Sequence, residues 1–321
     1  MKLINNLGIS YNGNYINQGS NIDKCKKAND IGAKYLEFTI RSDGKDNDFS
    51  NLSAYFQNEL IFHLPTINDN QSNLKNIKEI ISDVIKNNIR LFTIDASTLL
   101  FDTYDWSTIE EQQNYLKNMA KGIASLTEYN IDIAIENTYK YEDKFLFGKT
   151  LSNISDLLVY TRNTLVEEYG ISREIANKKI GVSLNINKII KSNEDLSKWV
   201  KMFYNDIKCI KVKDIENNIE IIDLLLSLIN DNNIEAPILL ETKDELEKIT
   251  NEYKKIEFLV NKKDNNLPVN FDNYKVIEDS VYNEYNTNIS SNPNGFTNIV
   301  IITMIILTII IAVMMFMLKL R

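Results

Sequence analysis

Two short apolar runs, IDIAIE at residues 131–136 and IGVSLN at 180–185, decide the fold of this chain. In both runs bulky apolar residues alternate with small or polar ones. This alternation is typical of a β-strand that packs one face against helices. Six further runs share these features and predict strands: LGISY (7–11), KYLEF (34–38), LIFHL (60–64), LFTID (91–95), IKCIKV (207–212) and ILLE (238–241).

Most of the intervals between these runs carry helical periodicity. The interval 74–88, for example, has apolar residues at spacings of three and four, which places them on one face of a helix. The same pattern predicts helices at 21–31, 108–129, 154–169, 194–204, 221–230 and 244–260. The interval 43–52 is predicted to be a loop or a poor helix.

Strands that alternate with helices form a parallel sheet, and eight such units in about 250 residues match an α/β fold of the (β/α)8 TIM barrel type. A doubly wound open sheet is the alternative. That fold normally carries the Gly-rich motif GxGxxG in its first turn, and the turn after 7–11 reads NGNYINQGSN. The barrel is therefore the favoured prediction.

The composition excludes several classes of protein. Of the 321 residues, 44% are apolar and 25% are charged, which is typical of a globular chain and excludes a disordered one. The net charge of −8 offers no basic surface, so we expect no nucleic-acid partner. Cys25 and Cys209 have no metal-binding or redox spacing and are expected to be reduced thiols. The single histidine, His63, excludes a site that needs two imidazoles.

The carboxyl end of the chain differs from the rest. Residues 299–318 read IVIITMIILTIIIAVMMFML, without a charge, Gly or Pro. A helix of that length spans ~30 Å, the hydrocarbon thickness of a bilayer, so 298–319 is predicted to be a transmembrane helix. The Asn-rich segment 261–297 is predicted to be a polar stalk, which leaves 1–260 as the barrel. We recognise no secretory signal and expect the barrel on the cytoplasmic side of the membrane.

Strand alternation also predicts which side chains point into the barrel. In seven of the eight strands, the inward-facing set ends in a polar residue near the carboxyl end. These residues are Glu37, His63, Asp95, Glu136, Asn185, Lys211 and Glu241. Because barrels of this type carry their active sites at that end, we expect these side chains to converge on one site. The alternative is a polar closing layer without a specific ligand.

Six motifs at these strands resemble the xylose isomerase-like superfamily of TIM barrels, which includes sugar isomerases and epimerases, hydroxypyruvate isomerase and endonuclease IV. The motifs are YLEF (35–38), FHLP (62–65), AIEN (134–137), SLN (183–185), KVKD (211–214) and LLET (239–242). The resemblance covers about residues 1–260. It implies a divalent metal, Mn2+, Mg2+ or Zn2+, held by Glu, Asp, His and Glu on strands five to eight.

The chain departs from the superfamily motifs at the implied metal ligands. Glu136 and Glu241 are retained, but Asn185 replaces the aspartate. Lys188 and Lys211 stand where the motifs have histidines. A protonated lysine cannot ligate a metal and repels a cation, so we expect no metal and no other cofactor. The ammonium groups are predicted to replace the ion.

Two main functional hypotheses follow. The first is a membrane-tethered, metal-free barrel with a degenerate site, which binds a small sugar-like ligand or a protein partner. The second is a sugar or sugar-phosphate isomerase or epimerase with Glu136 and Glu241 as acid/base pair, working through a weakened metal site or with Lys211 as electrophile. A structural spacer is a third hypothesis. The residues predicted to contact a ligand are Glu37, His63, Asp95, Asn185 and Lys188.

Overall fold

A computed structural model describes residues 2–11, 19–40, 49, 51–65, 71–87, 89, 91–96, 108–139, 147–242 and 246–267. Within this part of the chain, eight parallel strands pair in chain order, and the last pairs with the first to close a barrel. The strands are β1 (Leu7–Tyr11), β2 (Tyr35–Thr39), β3 (Glu59–Leu64), β4 (Leu91–Asp95), β5 (Asp132–Glu136), β6 (Ile180–Asn185), β7 (Ile207–Val212) and β8 (Ile238–Thr242). The predicted (β/α)8 barrel is confirmed, and the open sheet is excluded.

Helices connect the strands on the outside of the barrel. Those described are α1 (Asn21–Asp30), α2 (Gln71–Val84), α3 (Ile109–Leu126), α4 (Leu151–Glu167), α5 (Arg173–Lys179), α6 (Ile186–Lys191), α7 (Leu196–Phe203), α8 (Ile219–Asp231) and α9 (Leu246–Asp264). The hydroxyl groups of Ser20, Thr108 and Thr150 cap α1, α3 and α4 by accepting a backbone N–H three residues later. The sequence did not predict α5 and α6, because 7 and 6 residues are too few to show helical periodicity.

The core has two parts, which the alternation of strand side chains separates. Outward-facing residues such as Ile9, Phe62 and Ile133 are fully buried beneath the helices. Inside the barrel, Ile61, Cys209 and Leu239 form an apolar cluster. Each of these three residues lies two positions before a predicted site residue on its strand, so the polar side chains rest on an apolar floor. Cys25 and Cys209 are both buried free thiols.

The two ends of the barrel sequence are joined by hydrogen bonds. The backbone N–H groups of Leu3 and Ile4 donate to the carboxylate of Asp264, at 2.8 and 3.1 Å. Residues 261–264, which the sequence assigned to the stalk, therefore form the last turn of α9. Among the described residues, no helix has the length and apolarity needed to cross a membrane. The predicted transmembrane helix at 298–319 lies outside the described residues.

Candidate functional site

The polar side chains predicted from strand alternation converge at the carboxyl end of the barrel. One branch of contacts runs from Glu241 through Asn185, Glu136 and Lys211 to Glu37, and a second runs from Glu136 through Lys188 and Asp95 to His63. The structure thus brings all eight predicted residues into one network. Their functional roles remain predictions.

Lys211 on β7 forms the centre of the network. Its ammonium Nζ lies 2.8 Å from Glu37 Oε2 and 2.6 Å from Glu136 Oε2, and its side chain is only 4% exposed. Burial acts to lower the pKa of Lys211, but the carboxylates of Glu136 and Glu37 raise it well above its ordinary value. Lys211 is therefore a fixed cation at neutral pH, able to donate hydrogen bonds but not to act as a nucleophilic amine.

Lys188 provides a second buried cation. It lies on α6, which begins directly after β6, and its Nζ is 2.7 Å from both Asp95 Oδ1 and Glu136 Oε1. Asn185 is the last residue of β6 and the N-cap of α6, and its side-chain oxygen accepts the backbone N–H of Lys188. Burial acts to lower the pKa of Lys188, but Asp95 and Glu136 raise it above its ordinary value. The short turn from strand to helix thus places the ammonium between two carboxylates.

Glu136 on β5 is shared by both lysines. Its oxygen Oε1 contacts Lys188 and also accepts a hydrogen bond of 3.1 Å from Asn185 Nδ2, which donates in addition to Glu241 Oε2 at 3.0 Å. Burial acts to raise the pKa of Glu136, but the ammonium groups of Lys188 and Lys211 lower it to about 2. This carboxylate is therefore ionised at neutral pH and is a weak base.

Asp95 and His63 lie nearer the mouth of the barrel. Their side chains are 28% and 14% exposed, and Asp95 Oδ2 is 3.6 Å from His63 Nε2. Burial acts to raise the pKa of Asp95, but the ammonium of Lys188 holds it well below its ordinary value. Because both side chains are partly exposed, they can be reached by a ligand from the mouth of the barrel.

The sequence analysis missed three polar residues of the site. Thr93 donates to Glu37 Oε1 at 2.6 Å, and the hydroxyl of Ser10 donates to Glu37 Oε2. Asn137 exchanges hydrogen bonds with the backbone of Asn185, at 2.7 and 3.1 Å. Strand alternation contained the signal for two of them, because Thr93 lies two positions before Asp95 and Ser10 occupies the inward face of β1.

The metal implied by the superfamily does not fit these residues. Both oxygens of Glu136 are within 2.7 Å of an ammonium group, so a divalent ion at this carboxylate would have to displace Lys188 and Lys211. Asn185 supplies its amide NH2 to Glu136 and Glu241, and a donor cannot ligate a cation. Within the described residues, no three His, Cys, Asp or Glu side chains are grouped so that they could hold a metal ion.

A cavity of 1520 Å3 opens at the opposite end of the barrel, where the strands begin. Its lining mixes acidic and basic side chains, and Lys208 there pairs with the partly exposed Asp132 at 2.9 Å. Such pairing is typical of an ordinary protein surface. The candidate functional site is therefore the one at the carboxyl end, where buried charges converge.

Solved structures of similar fold include sugar epimerases. The 3-keto-D-glucoside 4-epimerase of E. coli has a TM-score of 0.57 and 9% identity, over 79% of this chain and 98% of its own. The D-psicose 3-epimerase of Clostridium cellulolyticum H10 has a TM-score of 0.53 and 10% identity, over 86% and 98%. This chain shares its (β/α)8 barrel fold with these epimerases. The predicted resemblance is thus confirmed at the level of the fold.

The fold extends beyond sugar epimerases. A family 2 AP endonuclease from Brucella melitensis has a TM-score of 0.54 and 10% identity, over 75% of this chain and 95% of its own. At such identities the likeness concerns the fold alone. No family model matches the chain, and no curated protein matches it in sequence. The function must therefore be argued from the site.

Proposed function

We propose that the barrel binds a small, neutral, sugar-like ligand at the carboxyl end of its strands, in a site where Lys188 and Lys211 replace a divalent metal. The observation that carries this proposal is the pairing of the two oxygens of Glu136 with two ammonium groups, at 2.7 and 2.6 Å. A carboxylate held in this way is a poor base, so binding is favoured over catalysis. The epimerase fold supports a sugar-like ligand.

The charge balance of the site supports a neutral ligand. Four carboxylates, those of Glu37, Asp95, Glu136 and Glu241, surround two ammonium groups, and both ammonium groups already contact two carboxylates each. The surplus negative charge repels phosphate groups, whereas carboxylates accept hydrogen bonds from sugar hydroxyls. A neutral sugar is therefore favoured over a sugar phosphate.

Thermal unfolding of the full chain tests this proposal. Neutral ketoses such as D-fructose and D-tagatose should raise the melting temperature, because a ligand at about 100 times its Kd stabilises the folded state by about 2.7 kcal/mol. The Asp95→Asn variant should lose the effect. Asp83→Asn, which changes an aspartate that is 79% exposed, should keep it. If no neutral sugar stabilises the chain, or if Asp95→Asn responds like the wild type, the proposal is wrong.

The second candidate is a sugar isomerase or epimerase that uses Glu136 and Glu241. The amide of Asn185 bridges these two carboxylates, at 3.1 and 3.0 Å, and acid/base pairs of this kind move protons next to a carbonyl group. Incubation with D-fructose in D2O, with and without Mn2+, tests this candidate. The candidate predicts that deuterium enters next to the carbonyl, and that this incorporation is lost in both Glu136→Gln and Glu241→Gln. That result would favour the enzyme over the binding protein.

We further propose that residues 298–319 anchor the barrel to a membrane, with the barrel on the cytoplasmic side. The uncharged apolar run at 299–318 supports the anchor, since its length matches the bilayer. The two free thiols, Cys25 and Cys209, fit a reducing compartment. A sugar-like ligand would then be bound at the membrane surface. A protein partner remains the alternative to a small ligand.

A further inference from the structure

His63, the single histidine of the chain, belongs to a hydrogen-bond network in which the protons can be assigned. The assignment begins at Glu37, which is fully buried. Three donors point at its carboxylate: Thr93 Oγ1 at 2.6 Å, Lys211 Nζ at 2.8 Å and the hydroxyl of Ser10. An ionised carboxylate only accepts hydrogen bonds, so the single hydroxyl proton of Thr93 is directed to Glu37.

Thr93 can then only accept a hydrogen bond from His63. Its Oγ1 lies 2.8 Å from His63 Nδ1, so Nδ1 must carry a proton. Glu136 Oε2 is a further acceptor, 3.8 Å from Nδ1, and it also favours a proton on Nδ1. Lys211 Nζ is a donor near Nδ1, but it lies farther away, at 3.5 Å, and is closer to Glu37 and Glu136. The shortest contact of Nδ1, the one to Thr93 Oγ1 at 2.8 Å, therefore decides where the proton lies.

We infer that Thr93 and Glu37 are positioning residues that hold His63 in the Nδ1–H form, so that Nε2 presents a lone pair at the mouth of the site. Nε2 lies 3.6 Å from Asp95 Oδ2, which is also an acceptor. Two acceptors side by side form a place for a hydrogen-bond donor, and a sugar hydroxyl is such a donor. This inference rests on the proposed function, because it names the acceptor pair that receives a hydroxyl group of the ligand.

The opposite tautomer would give the site a different chemistry. With the proton on Nε2, the ring would donate to Asp95, and the pair would offer the ligand no shared acceptor site. Nδ1 and Thr93 Oγ1 would then be two acceptors at 2.8 Å, unless the hydroxyl of Thr93 turned away from Glu37. That turn would leave Oε1 of the buried Glu37 without its 2.6 Å donor, which is costly.

Nuclear magnetic resonance of the full chain labelled with 15N-histidine tests the inference directly, because one histidine gives one ring spectrum. In spectra recorded at rising pH, once the ring shifts no longer change, we expect Nδ1 to show the shift of an N–H nitrogen and Nε2 that of a lone-pair nitrogen. A wild-type ring with the proton mainly on Nε2 would overturn the inference. This measurement needs no variant.

Two matched variants identify the cause of the tautomer. Thr93→Val removes the acceptor of the Nδ1 proton while keeping the shape of the side chain, so the Nε2–H form should become the main one, with Asp95 as acceptor. Thr161→Val is the control, since Thr161 is equally buried and its hydroxyl donates to the backbone carbonyl of Leu157, at 2.7 Å. It should keep the Nδ1–H form. An unchanged tautomer in Thr93→Val would contradict the positioning role.

Titration with D-fructose separates the inference from the proposed function. Binding should shift the Nε2 resonance in the wild type and in Thr161→Val. If the ring has the Nδ1–H form and no sugar moves Nε2, the proposed function fails while the positioning role stands. If sugar binds to a ring with the proton on Nε2, the function stands and the inference fails.

Discussion

Replacing Lys211 with Met would remove the cation that compensates two buried carboxylates. Met preserves most of the apolar stem of lysine, so the change isolates the charge. Glu37 and Glu136, which are 0% and 3% exposed, would lose ion pairs of 2.8 and 2.6 Å. Glu37 would keep Ser10 and Thr93 as donors, but these hydroxyl groups carry no charge. Glu136 would keep the ammonium of Lys188 at 2.7 Å, so the variant leaves the charge of the buried Glu37 without an adjacent cation.

The expected loss of stability is large. Breaking a buried ion pair from one side costs ~3–5 kcal/mol, which is a substantial part of the ~5–15 kcal/mol that stabilises a typical protein. For a barrel of this size, ~1 kcal/mol corresponds to ~2–4 °C in melting temperature, so we expect a decrease of about 6–20 °C. Urea unfolding followed by circular dichroism measures the free energy of unfolding, and calorimetry measures the melting temperature.

A matched surface variant provides the control. Lys178 pairs with Glu174 at 2.9 Å, close to the distances at Lys211, but the two side chains are 74% and 79% exposed. Lys178→Met should therefore leave the free energy of unfolding nearly unchanged. If Lys211→Met costs no more than this control, the account of Lys211 as a structural cation is refuted. Adding Glu37→Gln to Lys211→Met should recover part of the loss, because it removes one uncompensated charge.

Three further predictions concern pH, metal binding and topology. The pKa of Glu136 is lowered from 4.5 to about 2, so its ionisation stabilises the fold above about pH 4.5 and this contribution is lost as the pH falls towards 2. Glu136→Gln should flatten the pH dependence of urea unfolding over this range, and an unchanged dependence would contradict the shift. The changes Asn185→Asp and Lys211→His restore the ligand types of the superfamily, and Lys188→Met removes the second ammonium group. The variant with all three changes should bind Mn2+ or Zn2+ more tightly than the wild type in calorimetric titrations. No gain in the triple variant would show that the lysines do not exclude the ion. Protease added to intact cells should leave the barrel uncut. Digestion of the barrel would contradict the proposed cytoplasmic side.

Much of the fold could be predicted from sequence because strand alternation and helical periodicity are local signals. Each of the eight strands was placed to within one residue of its position in the barrel. Short elements such as α5 gave no such signal, since its seven residues span only two turns. The end of α9 was also not predictable from composition, because its last turn is polar and is held by the contact of Asp264 with the first residues of the chain.

The residues of the candidate site could be predicted from sequence better than the contacts between them. Strand parity and the superfamily motifs identified the eight side chains, because the carboxyl ends of parallel strands meet in a barrel. The partners of Lys188 were not predictable, since Asp95 lies 93 positions earlier on β4 and the pairing depends on the closed barrel. Likewise, the pairing of Lys211 on β7 with Glu37 on β2, at 2.8 Å, depends on the closed barrel.

The metal content of the full chain tests the central claim that two ammonium groups replace the divalent ion. Chain purified without chelator would be analysed by elemental mass spectrometry, with its melting temperature recorded before and after treatment with chelator. The account predicts far less than one divalent ion per chain and an unchanged melting temperature. About one tightly bound Mn2+, Mg2+ or Zn2+ per chain, with a lower melting temperature after its removal, would contradict the account.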